Sequence, residues 1–437
     1  MWDTFYHLVF YPLFLLAMRG ASLWSPKIRS ALMGRSDWRG PVSAIPSTPS
    51  DIVRIHFHAT SVGEFEQAVP FIEALRNDEQ PYRITVSFFS PSGFELRKNY
   101  PLVDGVCYLP HDRQSDMNEF MNRLSPDVVI IIRYDLWPEF VRQTQLRGIP
   151  AVLVCGVMRH DSVRFFPLVR SFFAALYSRL AFIASIESED RDAFKKIAPE
   201  VPVFSLGDTR YDRVLTRLAS GDAVQELEVL HSIAGQRTIL IAGSTWSEDE
   251  RMLVQTSLPD KLFLILVPHE PTPSHISGLL DKFPRSQTLS YLIEHRVEQL
   301  PNVVIVDRLG ILAELYQMGD VAWVGGGFGA GVHSVLEPAA YGLPILCGPK
   351  IHRSRDAVSL EEEGVVKTVE NQQTLQEYLG RLIDDRTYRR ELSHKAEVFV
   401  KERAGATERI LDELRSRAIL PDYQRVISQS EEHHVNR

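Results

Sequence analysis

Two long stretches of the chain alternate short runs of β-branched and apolar residues with longer segments of helical periodicity. In the first stretch the apolar runs include Ile52–His58, Arg83–Phe89, Asp127–Tyr134 and Pro150–Gly156, and the alternation starts again after residue 237. Short apolar runs between helical patterns predict βα units, whose parallel strands form a sheet covered by helices on both faces. The sequence therefore predicts an α/β fold with two doubly wound parallel sheets.

The break between the two stretches is Asp208–Arg237, which contains no buried strand. A chain of 437 residues is too long for one ordinary core, so two domains of about 200 residues each are expected. We predict a first domain over 41–215 and a second over 216–420, preceded by an apolar and basic segment, 1–40, and followed by a disordered tail, 421–437. Ligands of such sheets bind at the carboxyl ends of the strands, so the sequence predicts two domains that face a central cleft.

The N-terminal segment begins with Phe5–Met18, a nearly unbroken run of apolar and aromatic residues. About 20 residues are needed to span a bilayer, and a secretory signal peptide would carry positive charge before the run, where this chain has Asp3. An apolar run followed by bases predicts an anchor helix at the inner membrane, with the rest of the chain on the cytoplasmic side. The alternative is an amphipathic helix packed on the protein's own surface. The basic residues that follow are Arg19, Lys27, Arg29, Arg35 and Arg39.

Composition excludes several classes of function. The formal net charge of -8 argues against general affinity for nucleic acid, which needs a basic face. The three cysteines have no CxxC spacing, so they predict buried thiols in a reducing compartment, without a disulfide framework or a zinc site. No cluster of histidine and acidic residues has the spacing of metal ligands, so neither a metal nor a cofactor is expected.

A glycine-rich run, Trp323–Pro349, follows one of the predicted strands of the second domain. Its glycines precede a predicted helix, His333–Gly342, in which Glu337 lies about one turn from the start. Bare backbone and a helix start suit a phosphate, and the carboxylate of Glu337 suits ribose hydroxyls. The spacing is not that of an NAD site. The alternative is a glycine-rich turn with a purely structural role.

Charged side chains also follow two predicted strands of the first domain. Glu64 comes shortly after the strand that ends at His58, and Arg133 and Asp135 come directly after another. A carboxylate at the carboxyl end of a strand could act as a general base. Glu64 could equally stabilise the first turn of its helix by charge alone, and Arg133 and Asp135 could form a structural ion pair.

Four motifs, taken in order, resemble those of the Kdo (3-deoxy-D-manno-octulosonic acid) transferase family of lipid A biosynthesis. The resemblance extends from the apolar N-terminal segment to about Glu370. It implies a GT-B fold, with two Rossmann-like domains and an inverting reaction that needs no metal. It also implies transfer of Kdo from CMP-Kdo to the lipid A precursor lipid IVA. The four motifs are Phe88–Gly93, Gly207–Asp212, Ala242–Glu250 and Gly325–Glu337.

The same resemblance assigns roles to three residues of the first domain. Glu64 corresponds to the family's general base. Asp135 keeps the second acid of the family's Glu-x-Glu motif, in which Arg133 replaces the first. Arg210 stands at the position of a family lysine and keeps its positive charge.

For the second domain the resemblance implies a CMP-binding set. Three family motifs, PRH, GEL and NPLE, correspond to segments of this chain, and His269 replaces the arginine of the first. The acid of the third motif is kept as Glu337. The implied residues are Pro268, His269, Gly310, Ile311, Leu312, Ser334, Val335, Leu336 and Glu337.

Other functions stay open on the sequence alone. The chain could be another GT-B transferase that uses a different sugar nucleotide, or an enzyme like the UDP-sugar epimerases. It could also be a two-lobed binding protein without catalysis. The number of Kdo units transferred and the oligomeric state are not indicated.

Overall fold

The computed structural model describes residues 2–46, 52–220, 225–256, 258–295 and 299–421. The chain forms two compact units. The first contains Met1–Arg213 together with Ala404–Arg437, and the second contains Val214–Arg403.

The last described helix belongs to the first unit, whereas the sequence analysis placed residues up to 420 in the second domain. Ile410 and Leu414 of this helix pack in the same apolar cluster as Phe57 of the first sheet. The backbone N–H of Thr407 donates to Asp212 at 2.7 Å, which ties the start of the helix to the end of the first unit. The tail predicted to be disordered, 421–437, lies outside the described residues except for its first residue.

Short helices form the N-terminal segment and pack on the first unit. Tyr6, Tyr11 and Leu15 are buried, and the rings of Phe14 and Phe172 pack against them. These elements are α1 (Trp2–Phe5), a π-helical turn (Tyr6–Phe10), α2 (Tyr11–Ala21), α3 (Pro26–Ser36) and α4 (Arg39–Ser43).

The predicted anchor helix is not supported. Among the described residues, none of the helices has both the length and the apolar character that crossing a bilayer requires. The helix α2 has 11 residues, against the roughly 20 that span the hydrocarbon region. One face of the segment is instead buried against the protein, which was the alternative interpretation.

The first unit contains a parallel sheet of seven strands in the order β3-β2-β1-β4-β5-β6-β7. Successive strands are added to one edge from β1 to β3 and to the other edge from β4 to β7, so the strand order reverses between β1 and β4. A doubly wound sheet binds ligands at the carboxyl ends of the strands beside such a point. The strands are β1 (Val53–Ala59), β2 (Tyr82–Phe88), β3 (Gly105–Tyr108), β4 (Val128–Ile132), β5 (Ala151–Gly156), β6 (Phe182–Ser185) and β7 (Val203–Ser205).

Helices cover both faces of this sheet, because the strands are apolar on both sides. Phe57 and Ile130 point into one apolar cluster, and Ile131 and Leu153 into the other. The helices are α5 (Val62–Arg76), α6 (Pro91–Arg97), α7 (Gln114–Leu124), α8 (Pro138–Leu146), α9 (Pro167–Tyr177), α10 (Ser188–Ile197) and α21 (Ala406–Ser416) from the end of the chain. The helix α11 (Thr209–Ser220) begins in the first unit, and its residues from Val214 on belong to the second. A 3-10 turn, Val163–Phe165, precedes α9.

The second unit repeats the same sheet architecture, with seven parallel strands in the order β10-β11-β9-β8-β12-β13-β14. The prediction of two doubly wound parallel sheets is therefore confirmed. The strands are β8 (Thr238–Thr245), β9 (Leu262–Pro268), β10 (Ser286–Thr288), β11 (Val303–Ile305), β12 (Val321–Val324), β13 (Ile345–Cys347) and β14 (Val366–Thr368).

The helices of the second unit include one that is shorter than predicted. The helix predicted over His333–Gly342 is observed as Leu336–Ala340, so Ser334 precedes it. The helices are α12 (Gln225–Ala234), α13 (Ser247–Gln255), α14 (Pro273–Lys282), α15 (Leu289–Glu294), α16 (Leu312–Leu315), α17 (Leu336–Ala340), α18 (Arg355–Glu362), α19 (Gln372–Asp384) and α20 (Arg386–Arg403), with a 3-10 turn at Tyr316–Met318.

Candidate functional site

Glu64 lies in the first turn of α5, directly after the carboxyl end of β1. Its Oε2 accepts the backbone N–H of Ser61 at 2.9 Å and the Ser61 hydroxyl at 3.4 Å. This is the carboxylate half of a capping box. Oε1 takes no part in either bond, and the residue is 5% exposed. The structural and the catalytic interpretations of Glu64 are therefore compatible, because one oxygen fixes the helix end and leaves the other for chemistry.

Asp135 follows β4, the neighbour of β1 in the sheet. Its Oδ2 accepts the indole N–H of Trp137 at 3.1 Å and the hydroxyl of Thr60, and lies 3.2 Å from Nε2 of His58. Burial opposes the charge of Asp135, but these hydrogen bonds hold its pKa below the usual value for an aspartate. Asp135 is therefore an ionised carboxylate with one oxygen held by the protein.

The side chains and backbone of one short segment at the end of β1 form hydrogen bonds to both carboxylates. His58 and Thr60 contact Asp135, and the next residue, Ser61, contacts Glu64. The sequence analysis predicted both acids at strand ends but did not assign a role to His58 or Thr60. The register of β1 against β4 brings the segment and Asp135 together.

Arg133 occupies the turn between β4 and Asp135. Its φ of 71° lies in the left-handed region, which costs a non-glycine residue energy. Its guanidinium carbon lies 5.7 Å from the centre of the Tyr134 ring. None of the described hydrogen bonds joins Arg133 to Asp135, so the ion pair that the sequence left open is not observed.

Arg210 is paired with a buried acid of its own turn. Its Nε and Nη2 both lie 2.8 Å from Oδ2 of Asp208, and Gln67 donates to the other oxygen at 2.9 Å. Burial opposes the charge of Asp208, but the charge of Arg210 and these bonds hold the pKa of Asp208 below its usual value. The side chain at position 210 is thus positively charged, as predicted, and it forms an ion pair with Asp208.

In the second unit, the glycine-rich run packs mainly against backbone. A Cβ on Gly325 would lie 2.2 Å from the carbonyl oxygen of Ser244, and one on Gly327 would lie 2.6 Å from the backbone nitrogen of Gly348. The side chain of Asp249 accepts the N–H of Gly326 at 2.9 Å. These glycines are required by the fold itself, as the structural alternative proposed.

Three aromatic rings form a stack beside the glycine-rich run. We call it the ring stack and define it as Trp246, His269 and His333. The ring of His269 lies 4.6 Å from that of Trp246 and 4.7 Å from that of His333, and all three planes are within 26° of one another. The indole N–H of Trp246 donates to Nε2 of His333 at 2.8 Å.

The hydrogen bond within the ring stack requires a neutral His333. An indole N–H can only donate, so Nε2 of His333 must carry a lone pair. Burial lowers the pKa of His333, and the charge of His269 lowers it further. Trp246 is 40% exposed, so the stack offers a planar surface on which another ring could stack. Of the three, the sequence analysis included only His269 in the predicted CMP-binding set.

Of the other predicted donor-binding residues near the glycine-rich run, two have polar side chains that bond to each other and two have buried apolar side chains. The hydroxyl of Ser334 donates to Oε2 of Glu337. Val335 and Leu336 are each 1% exposed, so their side chains belong to the core and only their backbone could meet a ligand.

The remaining donor-binding predictions lie at two other strand ends. Pro268 is the buried last residue of β9, directly before His269. Gly310 has a φ of 95° in the turn before α16. Ile311 caps that helix, and Leu312 packs close to Gly243 of β8.

Two cations beside the glycine-rich run were missed by the sequence analysis. Nζ of Lys350 donates to the carbonyls of Phe328 and Gly329 at 2.8 and 3.1 Å. Nη1 of Arg353 donates to the carbonyl of Ala330 at 3.2 Å. Both side chains are exposed. They follow β13 in the sequence, and only the fold brings them to the loop after β12.

Two parallel α/β units, each with polar groups at the carboxyl ends of its strands, define the GT-B class of fold. Solved structures of similar fold include UDP-GlcNAc 2-epimerase from Neisseria meningitidis bound to UDP-GlcNAc, with a TM-score of 0.59 and 13% identity over 83% of this chain and all of that one. The UDP-GlcNAc 2-epimerase of Methanocaldococcus jannaschii has a TM-score of 0.54 and 13% identity over 80% of this chain and 99% of that one. At this level of identity the likeness concerns the fold alone.

The similarity in sequence points to a narrower group of proteins than the similarity in fold does. Residues 33–213 match the family described as 3-deoxy-D-manno-octulosonic-acid transferase, or kdotransferase. The 3-deoxy-D-manno-octulosonic acid transferase of Haemophilus influenzae is 27% identical over 95% of this chain and 98% of that protein. The enzyme of the same name from Aquifex aeolicus is 26% identical over 79% of this chain and 88% of that protein. The resemblance to the Kdo transferase family is confirmed.

Proposed function

We propose that this chain is an inverting glycosyltransferase that moves Kdo from CMP-Kdo to lipid IVA in lipopolysaccharide biosynthesis. The observation that carries the proposal is the relationship to Kdo transferases over nearly the whole chain. The arrangement of Glu64 supports it, because a carboxylate with one oxygen held and the other available is suited to accept a proton.

In the proposed reaction Glu64 takes the proton from a hydroxyl group of the acceptor. The hydroxyl oxygen then forms a bond to the anomeric carbon of Kdo. The bond from that carbon to the phosphate oxygen breaks, and CMP leaves with the electron pair. Positive charge develops on the sugar during this step, as in glycoside hydrolysis. Asp135, an ionised carboxylate of the same unit, is suited to stabilise that charge or to hold an acceptor hydroxyl.

For the donor we propose binding by the second unit. The ring stack provides a flat surface for the cytosine base, since bases stack on aromatic side chains. Lys350 and Arg353 provide positive charge near the glycine-rich run for the phosphate of CMP. Glu337, which accepts from Ser334, provides a carboxylate for ribose hydroxyls. Pro268, Gly310, Ile311 and Leu312 complete the proposed set through their backbone.

We also propose that the N-terminal segment lies on the cytoplasmic face of the inner membrane. Its outer side exposes Leu8, Leu13 and Leu16, which are 73%, 60% and 68% exposed, and Trp24 is 82% exposed. Apolar side chains next to bases such as Arg19 favour the surface of an anionic bilayer. A protein that acts on a lipid acceptor would benefit from this location.

The experiment that tests the donor half of the proposal is calorimetric titration of the protein with CMP and with UDP. CMP should bind and UDP should bind more weakly, and Trp246→Ala should weaken CMP binding about tenfold or more, since base stacking contributes about 1–3 kcal/mol. The runner-up, an epimerase-like enzyme, predicts tighter binding of UDP and conversion of UDP-GlcNAc. That outcome would replace the proposal.

A further inference from the structure

Four polar side chains lie in register on one face of the first sheet, inside an otherwise apolar core. His56 of β1 is paired with Thr85 of β2, and His58 with Ser87. All four are buried, and the ring of Phe140 lies 6.0 and 5.8 Å from the two imidazoles. Buried polar groups are costly unless every one is paired. Packing alone gives no reason to place two histidines there.

These side chains form one continuous hydrogen-bonded chain that ends at Asp135. Thr85 Oγ1 lies 2.9 Å from Nδ1 of His56, and Nε2 of the same ring lies 2.9 Å from Ser87 Oγ. Ser87 Oγ lies 2.9 Å from Nδ1 of His58, whose Nε2 lies 3.2 Å from Asp135 Oδ2. Each ring nitrogen of both histidines therefore has one partner. We call these four residues the relay.

The direction of the last bond follows from the other partners of Asp135. The indole N–H of Trp137 and the hydroxyl of Thr60 both point to Oδ2. An indole has no lone pair to offer in the ring plane, so Oδ2 must be the acceptor. Hydrogen bonds hold the pKa of Asp135 below its usual value, so Oδ2 belongs to a carboxylate that only accepts, and Nε2 of His58 must carry the proton shared with it.

The remaining bonds are then fixed one after another. If His58 is neutral and protonated at Nε2, it has a lone pair at Nδ1, and the Ser87 hydroxyl donates to it. The single proton of Ser87 is thereby used, and Nε2 of His56 must donate to Ser87 Oγ. His56 is neutral, since burial lowers its pKa to about 3, so its Nδ1 accepts from the hydroxyl of Thr85. That hydroxyl lies nearer to Nδ1, at 2.9 Å, than to the carbonyl oxygen of Ile55, at 3.5 Å. With His58 neutral, all four bonds therefore point toward Asp135.

We propose that His58 is a positioning residue for Asp135, and that Thr85, His56 and Ser87 fix it in the tautomer whose Nε2–H donates to that carboxylate. The catalytic part of this inference rests on the proposed transferase function, but the tautomer does not. With Oδ2 held by three donors, Asp135 keeps one rotamer, and Oδ1 is left for a substrate. The side chain of Asp135 is 22% exposed, which is consistent with that access.

The relay and the cation Arg35 both favour the charged form of Asp135. Arg35 of α3 is buried beside the stacked rings of Phe89 and Trp137, with its guanidinium carbon 4.3 and 4.9 Å from their centres, and its charge interacts with that of Asp135. The groups that face Asp135 are therefore His58, with His56 behind it on β1, and Arg35 on α3. Loss of the His58 donor should raise the pKa of Asp135 by about one to two units, because a hydrogen bond to a charged group contributes that much.

The first test is independent of turnover. The full chain, labelled with ¹⁵N at histidine, should show His58 as the Nε2–H tautomer, with its signals assigned by their loss in His58→Gln. Ser87→Ala removes the donor to Nδ1, so His58 should then populate both tautomers, whereas a substitution outside the relay, His295→Gln, should leave the His58 signals unchanged. A wild-type His58 protonated at Nδ1 alone, or at both nitrogens, would overturn the proposal. This measurement tests the tautomer of His58 whether or not the protein transfers Kdo.

The second test is the pH profile of Kdo transfer. The acid limb of kcat should move to higher pH by about one to two units in His58→Phe, because Asp135 protonates more readily. His58→Gln, which can still donate to Oδ2, should restore most of the wild-type profile. The KM for CMP-Kdo should change less than twofold in both. An unchanged acid limb in His58→Phe or in Ser87→Ala, with the protein folded by circular dichroism, would overturn the role in positioning.

Discussion

The backbone N–H of Ser61 lies 2.9 Å from Oε2 of Glu64, so the carboxylate proposed as the general base also closes the first turn of its own helix. The capping-box geometry explains how the buried glutamate side chain keeps a single orientation. It also means that a substitution at this position can affect folding and chemistry separately, which allows the two roles to be measured apart.

We expect Glu64→Gln to lose activity without losing the fold. A glutamine at this helical position can still accept the N–H of Ser61, so the free energy of unfolding should change by less than about 1 kcal/mol. Turnover should fall by about 10²–10⁴-fold, because an amide does not act as a base. Kinetics with CMP-Kdo and lipid IVA, combined with urea unfolding, measure both effects. Glu73→Gln on the same helix is the matched control and should keep full turnover; equal activity in both variants would remove Glu64 from the mechanism.

Acidification should open the bond between Trp246 and His333. Nε2 of His333 accepts only when the ring is neutral, and burial together with His269 places its pKa below the usual value of about 6.5. A histidine with a lowered pKa contributes its full stability above the pKa of the unfolded chain and loses it as the pH falls. Trp246 fluorescence, taken as the difference from Trp246→Phe, should stay constant from pH 8 to about 6.5 and change below it.

The control for this titration is His333→Gln. A glutamine amide oxygen can accept the indole N–H at every pH, so the transition should disappear in this variant. Persistence of the same transition would show that another group, such as His269, is responsible.

The hydroxyl of Tyr6 should stabilise the docking of the N-terminal segment. It donates to Oδ2 of Asp112 at 2.7 Å, and Asp112 also accepts the backbone N–H groups of Glu139 and Phe140, each at 2.9 Å. Tyr6→Phe should lower the free energy of unfolding by about 1–3 kcal/mol, as measured in urea. Tyr134→Phe, an exposed ring of the same unit, should cost much less.

The cost of Tyr6→Phe should depend on pH. Burial raises the pKa of Asp112 to about 6, although its hydrogen bonds act in the opposite direction. A carboxyl with a raised pKa stabilises the folded state in its protonated form, and this contribution is lost as the pH rises through about 6. The ionised form needs its donors most, so the substitution should cost more at pH 8 than at pH 5. Equal costs at the two pH values would contradict the coupling between Tyr6 and Asp112.

Charge on the outer side of α2 should weaken membrane binding. Leu13→Glu combined with Leu16→Glu should lower binding to vesicles that contain anionic lipid by about tenfold or more, because each leucine contributes roughly 1.5–3 kcal/mol when it leaves water. Leu96→Glu combined with Leu146→Glu is matched in charge and in exposure, at 65% and 62%, and should bind as the wild type does. Sedimentation with vesicles measures both, and similar loss in the two double variants would point to net charge rather than to α2.

Most strands were predictable because they lie within longer apolar runs of the sequence, but Gly105–Tyr108 and Ser286–Thr288 were missed. They have four and three residues, too few to show a period. The placement of α21 was missed for a different reason. An amphipathic pattern shows that a helix face is buried but not against which unit, and here a contact between residues 195 positions apart decides it.

At the candidate site, the acids were predictable because charge directly after an apolar strand is unusual. The groups that control them were harder to find. His56 and His58 alternate along β1, so they share a face, but only the register with β2 shows that Thr85 and Ser87 complete their bonds. In the same way, only the fold shows that Lys350 and Arg353 lie beside the glycine-rich run. The predicted helix start at His333 was wrong, since the helix begins at Leu336 after the N-cap residue Val335.

The most direct measurement is mass spectrometry of lipid IVA after incubation with CMP-Kdo and the purified full chain. The account predicts a product heavier by one or more Kdo units, formed by the wild type and by Glu73→Gln, and lost in Glu64→Gln. A folded protein that binds CMP but adds no Kdo to lipid IVA, or a Glu64→Gln variant that forms the product at the wild-type rate, would contradict it.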